Sequence, residues 1–294
     1  MEFSDINYIL KRKLLLKMPI AGDYPLGFGG LGIHRRDSSN ITENCFYRPL
    51  ATLTIQGSKY STIGGERYYL REGDFLVSTV DMPAQNYVVD AKDKKPFLSI
   101  SLYLDRFLIT QILSENPSLL SSQAIEARGT GVAKIEVDML AAFLRFFELS
   151  ETPKKIEYLS SAMLKEIHMR LLLSPLGKYI CGINAPNGSG IKLAKVMSYL
   201  RENYKRMLNI SELSKLAGMS QSTFHRSFKA ITGISPLQYQ KHLRLYEAQK
   251  LMITKNATVS DAAFEVGYDS PSQFSREYKR IFGIPPKKSL VKYF

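Results

Sequence analysis

One pattern is written twice near the end of this 294-residue chain. The first copy, ISELSKLAGMSQSTFHRSFKAITGISP, fills residues 210–236, and the second, VSDAAFEVGYDSPSQFSREYKRIFGIPP, fills 259–286. Gly218 and Gly267 correspond at an offset of 49. After one inserted residue, Phe224 and Phe274, Arg226 and Arg276, Lys229 and Lys279, Gly233 and Gly283, and Pro236 and Pro286 correspond at 50. A repeat this dense commits both segments to one local fold. Each reads as two helices around a turn. Ser211 and Ser260 are the predicted N-caps of the first helices. Gly218 and Gly267 stand where those helices must end in a left-handed residue. Ser220 is the predicted cap of one second helix and Asp269 or Ser270 of the other, with Pro271 suited to its first turn.

Within the second helices, Phe224, Phe228 and Ile231 recur at i, i+4 and i+7, as do Phe274, Tyr278 and Ile281. That spacing makes one buried stripe. Arg226 lies two residues past Phe224, about 200° around a 3.6-residue helix. Ser222, His225, Arg226 and Lys229 therefore point outward in copy one, and Ser272, Gln273, Arg276 and Lys279 in copy two. These are hydrogen-bond donors suited to base edges and phosphates, and an exposed second helix is the part that enters a major groove. Between the copies, residues 236–254 predict one helix of roughly 27 Å. Successive major grooves on one DNA face lie about 34 Å apart, a span such a helix can serve.

The charge follows the repeat. Residues 191–294 hold 18 Lys and Arg against 7 Asp and Glu, whereas residues 1–190 hold 22 against 20. An excess of +11 in the last third is the footprint of a polyanion-binding module. A membrane surface is the competing partner, but it calls for one strongly amphipathic basic helix. No apolar run is long enough to span a bilayer, and the N-terminus lacks a secretory cleavage pattern. Cys45 and Cys181 make no disulfide framework and fit a reducing, cytoplasmic setting, associated with the nucleoid.

The rest divides by texture. A short helix is expected near residues 6–16, followed by a loop-like stretch that could carry the first irregular strands. Residues 44–103 alternate in hydrophobicity, with turn signals every 8–12 residues, and predict an antiparallel sandwich or small barrel that could hold a ligand. Three helical segments follow: LDRFLITQIL, VAKIEVDMLAAFLRFFELS and PKKIEYLSSAMLKEIHMRLLLSPLGKYI. Leu140, Leu144 and Phe147 share a face, as do Leu159, Met163 and Ile167; such faces pack on the sheet domain or pair with a second copy. NAPNGSG, residues 184–190, reads as a linker. The expected division is a regulatory domain over 1–183, the linker 184–190, and a DNA-binding domain over 191–294. The two helix-turn-helix units fall at about 210–232 and 259–282. Ile191, Ala194, Met197 and Leu200 are the predicted inner face of that domain's first helix.

The run A-G-M-S-x-S-x-F-x-R-x-F-K-x-x-T-G-x-S-P-x-x-Y at 217–239, L-R-L-x-x-A at 243–248, and G-Y-x-S-x-S-x-F-S-R-x-Y-K-x-x-F-G-x-P-P at 267–286 resemble the DNA-binding domain of AraC/XylS transcription regulators. The resemblance implies two helix-turn-helix subdomains joined by a central helix, bound to about two turns of double-stranded DNA. It places base- and phosphate-facing roles on Ser222, His225, Arg226, Ser272, Gln273 and Arg276. Residues 48–85 more loosely resemble the cupin-like effector domain of an AraC subgroup, which implies a small organic effector and a homodimer as candidate partners. It assigns no effector-contact residue. RNA polymerase is a further candidate partner.

The expected fold is thus α+β: an N-terminal cupin-like β-barrel with packed helices, and an all-α C-terminal domain of two helix-turn-helix subdomains. The expected function is effector-responsive transcription regulation, without enzymatic activity, cofactor or metal. Two enzymatic alternatives are a cupin-type metalloenzyme and an alkyl-transfer repair protein, each tethered to DNA. The first needs histidine ligands, and residues 44–104 contain none. The second needs several cysteines, and the chain has 2. His168, within an apolar helical pattern, reads as structural.

Overall fold

A computed structural model describes residues 2–40, 42–92, 94–121, 127–185 and 188–290. The strands are β1 (Gly22–Pro25), β2 (Leu31–Arg36), β3 (Thr42–Tyr47), β4 (Leu50–Gln56), β5 (Ser58–Ile63), β6 (Glu66–Arg71), β7 (Asp74–Ser78), β8 (Met82–Asp90), β9 (Phe97–Tyr103) and β10 (Thr130–Lys134). They form two antiparallel sheets, ordered β1-β2-β9-β4-β7-β10 and β3-β8-β5-β6. The expected barrel is not closed: each sheet ends in free edges, and β3 and β6 pair with no strand of the larger sheet. The loop-like stretch after the first helix supplies β1 and β2, and β2 pairs along its length with β9.

The helices before the repeat are α1 (Phe3–Lys17), α2 (Arg106–Glu115), α3 (Ser118–Ser121), α4 (Val137–Glu148), α5 (Pro153–Leu173) and α6 (Gly177–Asn184). Two segments read as single helices are divided. Residues 132–134 leave the second to join Thr130 and Gly131 in the edge strand β10, which pairs with β7. The third breaks between α5 and α6, where Pro175 cannot continue a helix. Period-two alternation explains how these helices dock. Ala51, Leu53 and Ile55 of β4 and Leu98, Ile100 and Leu102 of β9 all face one way, into a core shared with Leu10, Leu14, Phe143, Phe147 and Leu171. Leu140, Leu144, Phe147 and Ile167 are buried there, whereas Leu159 is exposed. His168 is a structural pin, as expected: its Nε2 accepts the Asp105 N–H at 2.9 Å while Nδ1 donates to Leu164 O at 2.9 Å. Burial lowers its pKa, which favours the neutral ring.

The C-terminal part comprises α7 (Ser189–Glu202), α8 (Ile210–Leu216), α9 (Gln221–Thr232), α10 (Pro236–Thr254), α11 (Val259–Glu265), α12 (Pro271–Phe282) and α13 (Pro286–Leu290). Of the predicted linker, Asn184 belongs to α6 and Ser189 and Gly190 to α7, while residues 186–187 lie outside the described residues. The inner face of α7 is Leu193, Ala194, Val196, Met197 and Leu200; Ile191, expected inside, is exposed.

Candidate DNA interface and interdomain cavity

Both helix-turn-helix units assemble from local rules. The caps of the first helices each lie two residues before the predicted serines: Asn209 accepts the Glu212 N–H at 3.2 Å and Thr258 accepts the Asp261 N–H at 3.1 Å. Ser211 and Ser260 therefore sit inside their helices. The short polar side chain has to precede the first helical residue for its oxygen to reach an orphan N–H. Ser220 and Ser270 cap α9 and α12. Gly218 and Gly267 adopt φ of 60° and 89°, as the turn requires. Phe224 and Phe228, and Phe274 and Tyr278, are fully buried. Ile231 completes the first stripe, but Phe282 rather than Ile281 closes the second.

On the opposite faces, Ser222, His225, Arg226 and Lys229 of α9 and Ser272, Gln273, Arg276 and Lys279 of α12 are all exposed. Each set stays together on one helix face, and α10 separates the two. The only carboxylate within α12, Glu277, is turned inward, bound by Lys241 at 2.6 Å and by the Tyr268 hydroxyl at 2.9 Å. The outer face thus keeps its positive potential. Arg244 of α10, lying in the L-R-L run, fixes the geometry behind it. Its guanidinium donates to the carbonyls of Tyr204, Lys205, Arg206 and Gly267 at 2.8–3.0 Å, joining the end of α7 to the turn of the second unit.

The first unit also docks on the smaller sheet. Phe224, Phe228, Ile231 and Tyr239 share one apolar cluster with Ile63, Leu70, Val80 and Met82. The Gly129 N–H donates to Ile231 O at 2.9 Å, and the Tyr239 hydroxyl donates to Asp81 O at 3.0 Å. Arg201 of α7, half-buried, forms an ion pair with the buried Asp81.

Between the two sheets and the last turns of α10 lies a cavity of about 450 Å³. Tyr246, Gln249 and Lys250 of α10 line one side. Arg36 buttresses another: its Nε donates to Glu43 at 2.6 Å and its Nη2 to Asp23 at 2.9 Å. Asp23 also accepts from His34 Nδ1 at 2.6 Å. Burial opposes ionisation of Asp23, but the His34 hydrogen bond and the Arg36 charge outweigh it and hold its carboxyl well below the usual range. Lys59, on β5, is different. It is buried, its Nζ meets the Tyr47 hydroxyl at 3.4 Å and lies 5.6 Å from the centre of the Phe97 ring, and among the described residues no carboxylate lies within ion-pair distance. Burial pushes its pKa down. Cys45 lines the same cavity, and burial pushes its thiol up to about 12, unsuited to act as a nucleophile. Sequence reasoning assigned none of these cavity residues. The signal was the strict alternation in β4 and β9, which announces two faces without saying what covers the second.

Among the described residues no three His, Cys, Asp or Glu side chains cluster to hold a metal ion, and no helix is long and apolar enough to cross a membrane.

Known proteins agree with this architecture. Residues 28–179 match the family described as AraC-type transcriptional regulator N-terminus, and residues 213–290 match a helix-turn-helix domain. The thermoregulatory protein LcrF of Yersinia pestis is 23% identical over 243 residues, covering 81% of this chain and 87% of that protein. The virulence regulon transcriptional activator VirF of Yersinia enterocolitica is 23% identical over 248 residues, with the same coverage of 81% and 87%. Solved structures of ToxT from Vibrio cholerae share the fold. One, bound to (E)-4-(8-methylnaphthalen-1-yl)but-3-enoic acid, superposes with a TM-score of 0.60 at 13% identity, over 90% of this chain and 98% of that one. Another, with unsaturated fatty acid bound, gives 0.60 at 12% identity over 89% and 94%. The regulator family spans more than half of the sequence and the helix-turn-helix match covers the repeat, so this chain belongs to the AraC-type transcriptional regulators, DNA-binding proteins that control transcription.

Proposed function

We propose that this chain is a one-component regulator: α9 and α12 read DNA, and a small molecule seated between the sheets and α10 sets how they are held. The observation that carries this reading is the composition of the cavity wall. Tyr246, Gln249 and Lys250 belong to the helix that joins the two DNA-facing units, so an occupant touches the regulatory and DNA-binding parts at once. A ligand shifts an equilibrium only by contacts that differ between two states, and a cavity shared across a domain boundary supplies them. ToxT, of the same fold, has been solved with organic acids bound, which favours an effector role for the cavity. No chemical step is assigned to the protein.

DNA recognition rests on Ser222, His225, Arg226 and Lys229 and on Ser272, Gln273, Arg276 and Lys279, with the regulatory domain over 1–183 and the DNA-binding domain over 191–294. The test has two parts. An operator selected in vitro by the full chain is titrated at increasing salt, where several phosphate contacts make affinity fall steeply. A fragment of residues 184–294 is then titrated with the same DNA. Binding by the fragment, and its loss in the Arg226→Ala, Arg276→Ala double variant, is the expected result. DNA binding by residues 1–183 instead would sink the assignment.

A further inference from the structure

The layer between the two sheets has the wrong chemistry for a packed core. Along β4 the side chains that face away from the helices are Leu50, Thr52, Thr54 and Gln56; along β9 they are Phe97, Ser99, Ser101 and Tyr103. Pairing brings them together, with Thr52 opposite Ser101 and Thr54 opposite Ser99. An inner sandwich face is ordinarily apolar. Here Thr52, Ser99 and Ser101 line the cavity, with Lys59 on the facing sheet. Ser101 is engaged by His34 Nε2 at 2.8 Å. The hydroxyls of Thr52 and Ser99 make no hydrogen bond to another described residue and open onto the cavity, although these residues are only 5% and 3% exposed. Lys59, 7% exposed, has three N–H donors but only one long hydrogen bond, to Tyr47 at 3.4 Å, and the Phe97 ring at 5.6 Å. Buried polar groups without partners are costly and rare. Two unpaired hydroxyls and a weakly engaged lysine that converge on one cavity mark a site built for something that satisfies them.

The charge arithmetic narrows the occupant. Arg36 is fully engaged by Glu43, Asp23 and the carbonyls of Gly22 and Arg35, and contributes no free charge. Among the described residues Lys59 is the one buried cation lining the cavity without a carboxylate partner; Arg48 and Lys250 also line it but are exposed. Asp23 and Glu43 stand on the same wall and repel a second negative charge. One anionic oxygen pair at Lys59, with hydroxyls at Thr52 and Ser99, is the complement. A long aliphatic tail has no use for those hydroxyls and would leave them unmet. We propose that the interdomain cavity takes a compact, hydroxylated monocarboxylate, with its carboxylate on Lys59 and its hydroxyls on Thr52 and Ser99. The proposal deepens the effector reading above and rests on it for the link to DNA.

Probes of equal carbon count separate the components. Gluconate carries a carboxylate and hydroxyls, hexanoate the carboxylate alone, and sorbitol the hydroxyls alone; palmitoleate tests the long-chain acid. Binding to the full chain is read by thermal melting and calorimetry. Gluconate is expected to bind more tightly than hexanoate or sorbitol, and palmitoleate no better than hexanoate. Lys59→Met removes the charge without inserting bulk and should weaken gluconate by about tenfold or more, the worth of a charge-assisted hydrogen bond. Thr52→Val with Ser99→Ala should bring gluconate down to the level of hexanoate while leaving hexanoate unchanged. Hexanoate or palmitoleate binding as tightly as gluconate would overturn the proposal, as would gluconate binding that survives Lys59→Met, or no stabilisation by gluconate at millimolar concentration. Operator affinity measured alongside separates the two readings. Gluconate that binds through Lys59 without moving DNA affinity would leave the ligand class standing and remove the effector role. A DNA response to palmitoleate alone would do the reverse.

Discussion

The two helix-turn-helix units have nearly the same sequence pattern but not the same situation. In each, a left-handed glycine ends the outer helix, Gly233 with φ 74° and Gly283 with φ 78°. The backbone is the same, and the surroundings are opposite. A Cβ on Gly233 would meet the Gly64 carbonyl oxygen at 2.0 Å, and one on Gly64 would meet the Thr232 oxygen at 2.2 Å. A Cβ on Gly283 would meet nothing within 4 Å. The first unit shares its core with Ile63, Leu70, Val80 and Met82 of the sheet domain, while Phe274, Tyr278 and Phe282 form a core of their own with α10 and α11. The repeat thus encodes two copies of one DNA-facing device. The docking encodes an asymmetry: one copy is held by the regulatory domain and the other is attached to it through α10.

The largest effect that tests this comparison is truncation of the cores. Phe224→Ala and Phe274→Ala should each cost about 3–5 kcal/mol, since both rings are fully buried. The asymmetry predicts that Phe224→Ala also loosens the sheet domain, whereas Phe274→Ala leaves it intact. Hydrogen exchange over β5 and β8 distinguishes these outcomes, and equal protection in both variants would break the comparison.

The glycines come next. Gly283→Ala should cost only the left-handed strain of about 1–2 kcal/mol. Gly233→Ala carries that strain plus a backbone clash with Gly64, and should cost more. Because the clash lies between domains, it should appear as undocking: faster proteolysis near residues 184–190 and altered operator affinity. Equal melting shifts in the two variants would show that the first unit is not clamped.

Arg226→Ala and Arg276→Ala probe what the copies share. Each arginine is exposed, so stability should stay within about 0.5 kcal/mol of the parent. Operator affinity should fall by about 1–3 kcal/mol in each case if the guanidinium reads a base. A variant that melts early without losing DNA would require the recognition face to be reassigned.

The smallest effect is a pH dependence. His242 of α10 lines a second, smaller cleft between the sheet domain and the end of α12, with Ile234 and Phe282. Burial and the nearby Arg280 charge lower its pKa from 6.5 to about 4. The folded state therefore binds the proton less readily than the unfolded chain. Its contribution to stability is complete above about 6.5 and is lost as pH falls toward about 4. His168, lowered in the same direction, adds to this slope from within the regulatory domain. Melting temperature followed across that range should decline, and His242→Gln should flatten part of the decline. An unchanged slope would place the titration elsewhere.

Much of the DNA-facing half was legible because its determinants are local. Arg226 opposite Phe224 follows from helical period alone, and Gly218 and Gly267 follow from the turn they must make. The caps were each misread by two residues, Asn209 for Ser211 and Thr258 for Ser260, because two polar residues two positions apart offer similar capping side chains and only the helix start chooses between them. In the regulatory half, residues 132–134 were read into a helical segment, yet pairing with β7 made them part of a strand. Ladder hydrogen bonds to an existing sheet outweigh a weak local preference. The barrel expectation failed for a related reason. Alternation and turn spacing predict antiparallel strands, but closure depends on which edges meet.

The sequence by itself determined the repeat, the two polar helix faces, the basic excess of the last third and the antiparallel texture of residues 44–103. These depend on periods of 3.6 and 2 residues and on counting charges, all of which are readable along one chain. Only the tertiary structure decided that Lys59 is buried without a carboxylate, that Thr52 and Ser99 open onto the same cavity, that α10 closes it, and that Gly64 touches Gly233. Each of these facts joins residues far apart in the chain. Burial, desolvation and close backbone approach are properties of the surroundings, and the surroundings exist only once the sheets have paired and the first unit has docked on them.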